Sequence, residues 1–161
     1  MIPTALDRFD IRILAALQAK GRLGKAKLAE QVGLSPTPCW VRLQRLEKAG
    51  LVRGYRAEIA LERLADVTQV VVTISLSQHR RSDFDRFECH VRAAPEIVSC
   101  IATGGGMDYV MTVVCANLTK FQALMDNMLE AGVGIERYFT YIATRQVKSA
   151  APDLERLLSE R

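Results

Sequence analysis

The sequence is poor in the residues that hold metals and build disulfide frameworks. It has two histidines, His79 and His90, and four cysteines, Cys39, Cys89, Cys100 and Cys115, none of them in a CxxC pair. That spacing excludes a structural zinc site, and neither a metal nor another cofactor is expected. Scattered thiols in apolar surroundings read as small core residues rather than nucleophiles or disulfide partners. No apolar run approaches the roughly 18 residues of a membrane span, the longest being VVVTISL and YVMTVVCANL. The N-terminal MIPTALDRFD carries acidic residues where a secretory signal needs a positive start, so a cytoplasmic protein is expected. The glycine-rich GGGMDY lacks Walker or GxGxxG spacing and a following helix, which argues against a nucleotide-cradling loop.

What the chain does contain suits one domain or two small ones with real cores: 161 residues, 49% of them hydrophobic. Its charge is unevenly placed. Residues 1–60 hold 11 Lys and Arg against 5 Asp and Glu, whereas residues 61–161 hold 11 against 13. A basic head on a slightly acidic body suggests that the head binds a polyanion and the body does something else.

In the head, LDRFDIRILAALQAKG is predicted as an amphipathic helix, with Leu6, Phe9, Ile13, Leu14 and Leu17 on one face, Asp7 and Asp10 near its positive end and Gly21 as its stop. AKLAEQVG is a second helix ending on a left-handed Gly33. Only Leu34 and Ser35 separate it from a third, so the two form a helix-turn-helix. The third helix opens with two prolines in SPTPC. With Ser35 as N-cap, Pro36 and Pro38 occupy the first and third positions, whose amides have no intrahelical acceptor. Cys39 is then the first residue whose N–H must bond back, to the Ser35 carbonyl. A start three or more residues earlier would put Pro38 inside the ladder at a cost of about 3 kcal/mol.

Cys39, Leu43 and Leu46 share the packing face of this helix. The opposite face presents Thr37, Val41, Gln44, Arg45 and Lys48, with Arg42 flanking. Arg and Gln pair with guanine and adenine edges in the major groove, while Lys48, Arg42 and the Ser35–Thr37–Pro38 start suit phosphate. Trp40 either packs under the helix, the favoured alternative, or lies on a duplex sugar edge. Beyond Gly50, LVRGYRAEI is predicted as a small hairpin or wing about Gly54, with Arg53 and Arg56 free to touch phosphate or simply solvated.

From Val67 the pattern becomes β-rich. The order is a strand in VTQVVVTISL, a helix over 82–94, two strands in IVSCIATGGGMDYVMTVVCA joined by a glycine turn, a helix in LTKFQALMDNMLEAGVG, and a strand in IERYFTYIATRQVK. This βαββαβ order is the ferredoxin-like split pattern, a sheet with helices on one face. Strands apolar on both faces need a second cover, and a copy of the same chain is expected to supply it.

LDRFDIRILAALQAKGRL, LSPTPCWVRLQRLEKAGLVRGY and GGGMDYVM, in this order and spacing, resemble the Lrp/AsnC (leucine-responsive, feast/famine) transcription regulators over about residues 5–149. The resemblance implies an α+β chain with a winged helix-turn-helix at 1–53, a linking strand and wing at 54–66, a ferredoxin-like effector and oligomerisation domain at 67–149, and a tail at 150–161. It further implies a homodimer, often assembled into an octamer, that binds pseudo-palindromic double-stranded DNA at genes of amino-acid metabolism and responds to a small molecule, usually an amino acid.

Effector contacts carried over by the resemblance fall on Gly104, Gly105, Gly106, Met107, Asp108, Tyr109 and Thr140. The family's hairpin pattern is Gly, Asp, any, Asp, Tyr, so Gly106 stands here in place of an acidic residue. Two alternatives stay open. One is an architectural DNA-binding protein without an effector. The other is an enzyme on the same fold, such as a siroheme decarboxylase, which would need catalytic histidines in the body pocket; His79 and His90 are expected near the body's first helix and away from the glycine hairpin.

Overall fold

The structure, a computed structural model, describes residues 6–159. Two compact units emerge, one formed by the residues up to Ile59 together with those from Lys148 on, the other by Ala60–Val147. The expected boundaries lay at 53/54, 66/67 and 149/150.

The head begins with α1 (Arg8–Ala19), capped by a reciprocal pair in which the Asp7 carboxylate accepts from the Phe9 and Asp10 amides while Asp10 accepts from the Asp7 amide. The helix ends at Ala19, with an extended Lys20 as its C-cap and Gly21 directly after it, where the stop was expected. The second helix, α2 (Lys25–Val32), does end as read, on Gly33 at φ 74°. The third, α3 (Pro36–Lys48), starts from an extended Ser35, and the Cys39 N–H donates to the Ser35 carbonyl at 3.2 Å. Thr37 is helical although it precedes proline, a conformation that residue resists. Ile13, Leu17, Leu28, Val32, Cys39, Leu43 and Leu46 form the core, with Trp40 half-buried against it.

The predicted wing hairpin does not form. Residues 51–60 hold no strand, and a single 3-10 turn follows at Leu61–Arg63, so the linking strand is also missing. An extended segment becomes a strand only beside a partner, and among the described residues none offers it a ladder. The expected tail instead contains α6 (Leu154–Ser159), whose Leu154 and Leu158 line a groove with Leu14, Leu17, Leu51 and Val52 of the head.

The body follows the predicted order: β1 (Thr68–Leu76), α4 (Arg81–Ala93), β2 (Ile97–Ala102), β3 (Tyr109–Cys115), α5 (Leu118–Glu130) and β4 (Ile135–Ile142). The sheet is antiparallel in the order β2-β3-β1-β4. The last strand stops six residues short of the expected Lys148, because β1 begins at Thr68 and offers nothing for later residues to pair with. One sheet face, carrying Val70, Val72, Ile74, Tyr109, Met111 and Val113, packs on Phe87, Val91, Phe121, Met125 and Met128 of the two helices.

The alternate residues face away from those helices. Val71, Val110 and Val114 are half-buried there, and Ile101, Phe139 and Tyr141 are exposed. Thr73 on the same face has a buried hydroxyl without a partner among the described residues. A broad apolar face on a single chain is the physical signature of an interaction surface.

Two substitutions check this account of the packing. Phe87 is fully buried, so Phe87→Ala is expected to destabilise the body by about 3–5 kcal/mol in urea unfolding. Ser35→Ala is expected to cost only a few tenths of a kcal/mol where a normal N-cap loss costs about 1, because the Ser35 side chain makes no cap bond and the amide it would prefer belongs to Pro38.

Candidate functional site

Two surfaces hold the predicted residues. On the head, the prolines set the register of α3, and the register sets the face. Cys39, Leu43 and Leu46 turn inward, leaving Thr37, Val41, Gln44 and Lys48 exposed in one stripe at four-, three- and four-residue steps. Ser35 and Pro38 are exposed at its start. Neither Gln44 nor Lys48 has a hydrogen-bond or ion-pair partner among the described residues. Arg53 is exposed beyond the end of α3.

Arg42 and Arg45 are held differently from the expectation of an open face. Arg42 Nη1 donates to Asp7 Oδ2 at 2.6 Å and to Asp10 Oδ1 at 3.0 Å, and Arg45 Nη2 donates to Asp10 Oδ2 at 2.5 Å. Arg45 remains about half exposed, and Arg42 less so. Hydrogen bonds from the Asp10 amide, then from Arg42 and the Phe9 amide, hold the Asp7 carboxyl below its ordinary range. Asp10 itself is fully buried, a role that sequence reasoning missed. The signal was available: Asp10 lies three and seven residues before Ile13 and Leu17, on the stripe that packs.

Trp40 packs inward. Its ring is covered by the Lys25 ammonium, 3.6 Å from the centroid, and it borders an apolar cavity of about 630 Å³ with Leu17, Leu23, Leu43 and Tyr55.

On the body, a cleft of about 680 Å³ opens between α4 and the β2–β3 hairpin, lined by His79, Arg81, Phe84, Asp85, Glu88, Ala102, Thr103, Asp108 and Tyr109. Asp108 anchors it. Its Oδ2 accepts the Leu76 amide at 2.7 Å, and its backbone N–H donates to the Ile74 carbonyl. His79 Nε2 lies 3.1 Å from Asp108 Oδ1, so this histidine joins the glycine hairpin after all, contrary to the expectation that both stand away from it. The short connection between β1 and α4 carries His79 back to the hairpin.

Tyr109 is buried, with its hydroxyl donating to Glu88 Oε1 at 3.1 Å. Desolvation, then that hydrogen bond to Glu88, push the hydroxyl up to about 12. Glu88 also pairs with Arg92. Gly104, Gly105 and Gly106 form the exposed hairpin tip rather than the cleft wall, with Gly105 at φ 129°. Behind them Thr103 Oγ1 donates to the Met107 carbonyl and Ser75 Oγ reaches Met107 Sδ. Thr140 stands opposite Val72 on edge strand β4 and does not line the cleft. The α4 contributors were not foreseen; residues 81, 84, 85 and 88 share one helix face, a spacing that marks them once the hairpin is known to face that helix.

Burial pushes the thiols of Cys39, Cys100 and Cys115 up, which keeps them protonated and inert. Among the described residues no group of three His, Cys, Asp or Glu is placed to hold a metal ion, and no helix is long and apolar enough to cross a membrane.

The tyrosine makes a testable pH signature. A hydroxyl raised from 10 to about 12 in the native state binds its proton more tightly than in the unfolded chain, so its contribution is complete below about pH 10 and is lost as pH rises toward 12. Stability is therefore expected to fall with pH across that window, and Tyr109→Phe to flatten the slope in urea unfolding. Tyr55, raised likewise to about 12 but half exposed, adds a weaker part that survives this substitution.

The head and the body each match a known family profile. Residues 6–53 match the family profile of a winged helix-turn-helix DNA-binding domain, and residues 69–153 that of the Lrp/AsnC ligand binding domain. The chain is 47% identical over 143 residues to the transcriptional regulatory protein DoeX of Halomonas elongata, covering 89% of this chain and 90% of that one. It is 38% identical over 149 residues to the Bkd operon transcriptional regulator of Pseudomonas aeruginosa, with 91% and 97% covered. The crystal structure of a Neisseria meningitidis transcriptional regulator in complex with L-Met superposes with a TM-score of 0.86 at 32% identity, over 95% of this chain and 99% of that one. With a DNA-binding head, a ligand-binding body and transcriptional regulators as relatives along nearly its whole length, the chain belongs to the Lrp/AsnC family and is a transcriptional regulator, not an enzyme.

Proposed function

We propose that this regulator reads a pseudo-palindromic operator in double-stranded DNA as a homodimer, assembling further into an octamer, and that an amino acid or a close derivative alters that assembly or its DNA affinity. The observation that carries the reading is the stripe of Thr37, Val41, Gln44 and Lys48, exposed along a rigidly started helix in the basic part of the chain. In this reading Gln44 and Arg45 meet base edges and Val41 a thymine methyl. Ser35, Thr37, Pro38, Arg42, Lys48 and Arg53 follow the phosphates.

The uncovered apolar face of the sheet supports pairing of bodies between copies. The effector site is assigned to Asp108 and Tyr109 in the cleft and to the Gly104–Met107 hairpin tip beside it, and Thr140 belongs to it only as a residue brought by a neighbouring subunit. A relative crystallised with L-Met and another named for the Bkd operon favour an amino acid as effector and amino-acid metabolism as the regulated process, in the cytoplasm. Because Gly106 supplies no carboxylate where the family has one, the ligand's amino group must find its partner in Asp108 or on α4.

Lys48→Ala is expected to weaken binding to all duplexes alike and to shallow the salt slope by about 0.9, whereas Gln44→Ala is expected to cost about 1–3 kcal/mol on a duplex selected from a random pool by the wild-type protein and little on a scrambled one. Unchanged affinities in fluorescence anisotropy would remove α3 from the interface. Asp108→Ala is expected to weaken calorimetric binding of L-methionine or branched-chain amino acids while leaving DNA binding by the unliganded protein intact. Equal affinity in both proteins would place the effector elsewhere.

A further inference from the structure

We infer that Asp10 is a positioning residue for DNA reading: it aims Arg42 and Arg45 along one edge of α3 and withholds their charge from indiscriminate phosphate binding. The inference rests on α3 being the DNA-contacting helix and adds to it a specificity device on a different helix. Its basis is geometric. A fully buried carboxylate on α1 has both oxygens engaged, Oδ1 by Arg42 and Oδ2 by Arg45 together with the Asp7 amide at 3.1 Å. The Asp7 carboxylate takes Arg42 a second time. Arg42 also lies over the Phe9 ring, 5.6 Å from its centroid. Asp7, Thr37, Pro38, Val41, Arg42 and Arg45 together line a shallow cavity of about 460 Å³, so the clamp opens directly beside the exposed stripe.

The chemistry of guanidinium explains what this does. Arg45 spends a single Nη2 contact on Asp10 and keeps its other donors toward solvent, since its side chain is 52% exposed. A bidentate contact to guanine needs the guanidinium plane fixed in advance; a free arginine would lose rotamer freedom on binding, while a clamped one has already lost it. The same carboxylates oppose the wrong partner. A phosphate of arbitrary sequence must compete with Asp7 and Asp10 for each cation, whereas a base edge can be met by donors the clamp leaves free. Affinity for random DNA is lowered and the preference for the right sequence is raised, a case of specificity built by an added repulsive element.

Asp10→Asn tests this, since the amide keeps the shape and can still accept from the Asp7 N–H but no longer neutralises the arginines. Binding is measured by anisotropy on a duplex selected from a random pool by the wild-type protein and on a scrambled duplex, over a range of salt. The expected result is tighter binding to the scrambled duplex, a loss of at least tenfold in preference for the selected one, and a salt slope steeper by about 0.9 for each arginine released. A merely structural Asp10 would weaken both duplexes together and leave slope and preference unchanged, and that outcome overturns the proposal. Should Asp10→Asn fail to fold, Asp7→Ser retains an N-cap acceptor while removing one carboxylate from Arg42; it is expected to steepen the slope on the scrambled duplex by up to about 0.9, and no change there overturns the proposal. Lys48→Ala run in parallel separates the two levels: if it leaves every affinity unaltered, the assignment of α3 falls and this inference with it, whereas a normal Lys48→Ala effect beside a silent Asp10→Asn condemns the clamp alone.

Discussion

One hydrogen bond governs the head: the Cys39 N–H to the Ser35 carbonyl, the first rung of α3. Pro36 and Pro38 have no N–H, so of the helix's first three residues only Thr37 keeps a donor, and a ladder begun three or more residues earlier would be broken at Pro38. Successive residues on a helix turn by about 100°, so a shift of one would carry Leu43 and Leu46 out of the core and bury polar residues in their place. The inward position of Cys39, the outward row from Thr37 to Lys48 and the reach of Arg42 and Arg45 to α1 all take their angles from that start. Its cost is the helical conformation forced on Thr37.

In the body the comparable constraint is the pairing of β1 with both β3 and β4. Alternation along β1 divides the sheet into a face packed on α4 and α5 and a face left apolar and open. The cleft beside α4 grows at the end of that strand, where Leu76 and Ile74 hold the side chain and backbone of Asp108 from the two sides. An anchored carboxylate on a hairpin whose tip is three glycines is fixed at its root and free at its end. That is a suitable arrangement for a loop that meets a small ligand.

Much of the architecture was legible because it depends on local rules. The Ser35 N-cap, the left-handed Gly33, the periodicity of α1 and the βαββαβ order are each set by residues within a turn of helix or by a period of two. The errors fell where a partner decides the outcome. LVRGYRAEI has the composition of a hairpin and no ladder to join, and β4 ends where β1 does. The exposed stripe of α3 was legible from one face of one helix, whereas His79 and the acidic residues of α4 became visible only when the fold laid them beside the hairpin.

By itself the sequence determined where the helices start, which of their faces are apolar, the order of the strands and the family resemblance, because each is written in neighbouring residues. Tertiary structure alone decided that Asp10 is buried against arginines 32 and 35 residues away and that His79 meets Asp108 across 29. Ionic and hydrogen-bonding side chains carry no period that announces a distant partner. Which of them meet is settled only when the apolar faces have packed and brought their neighbours within reach.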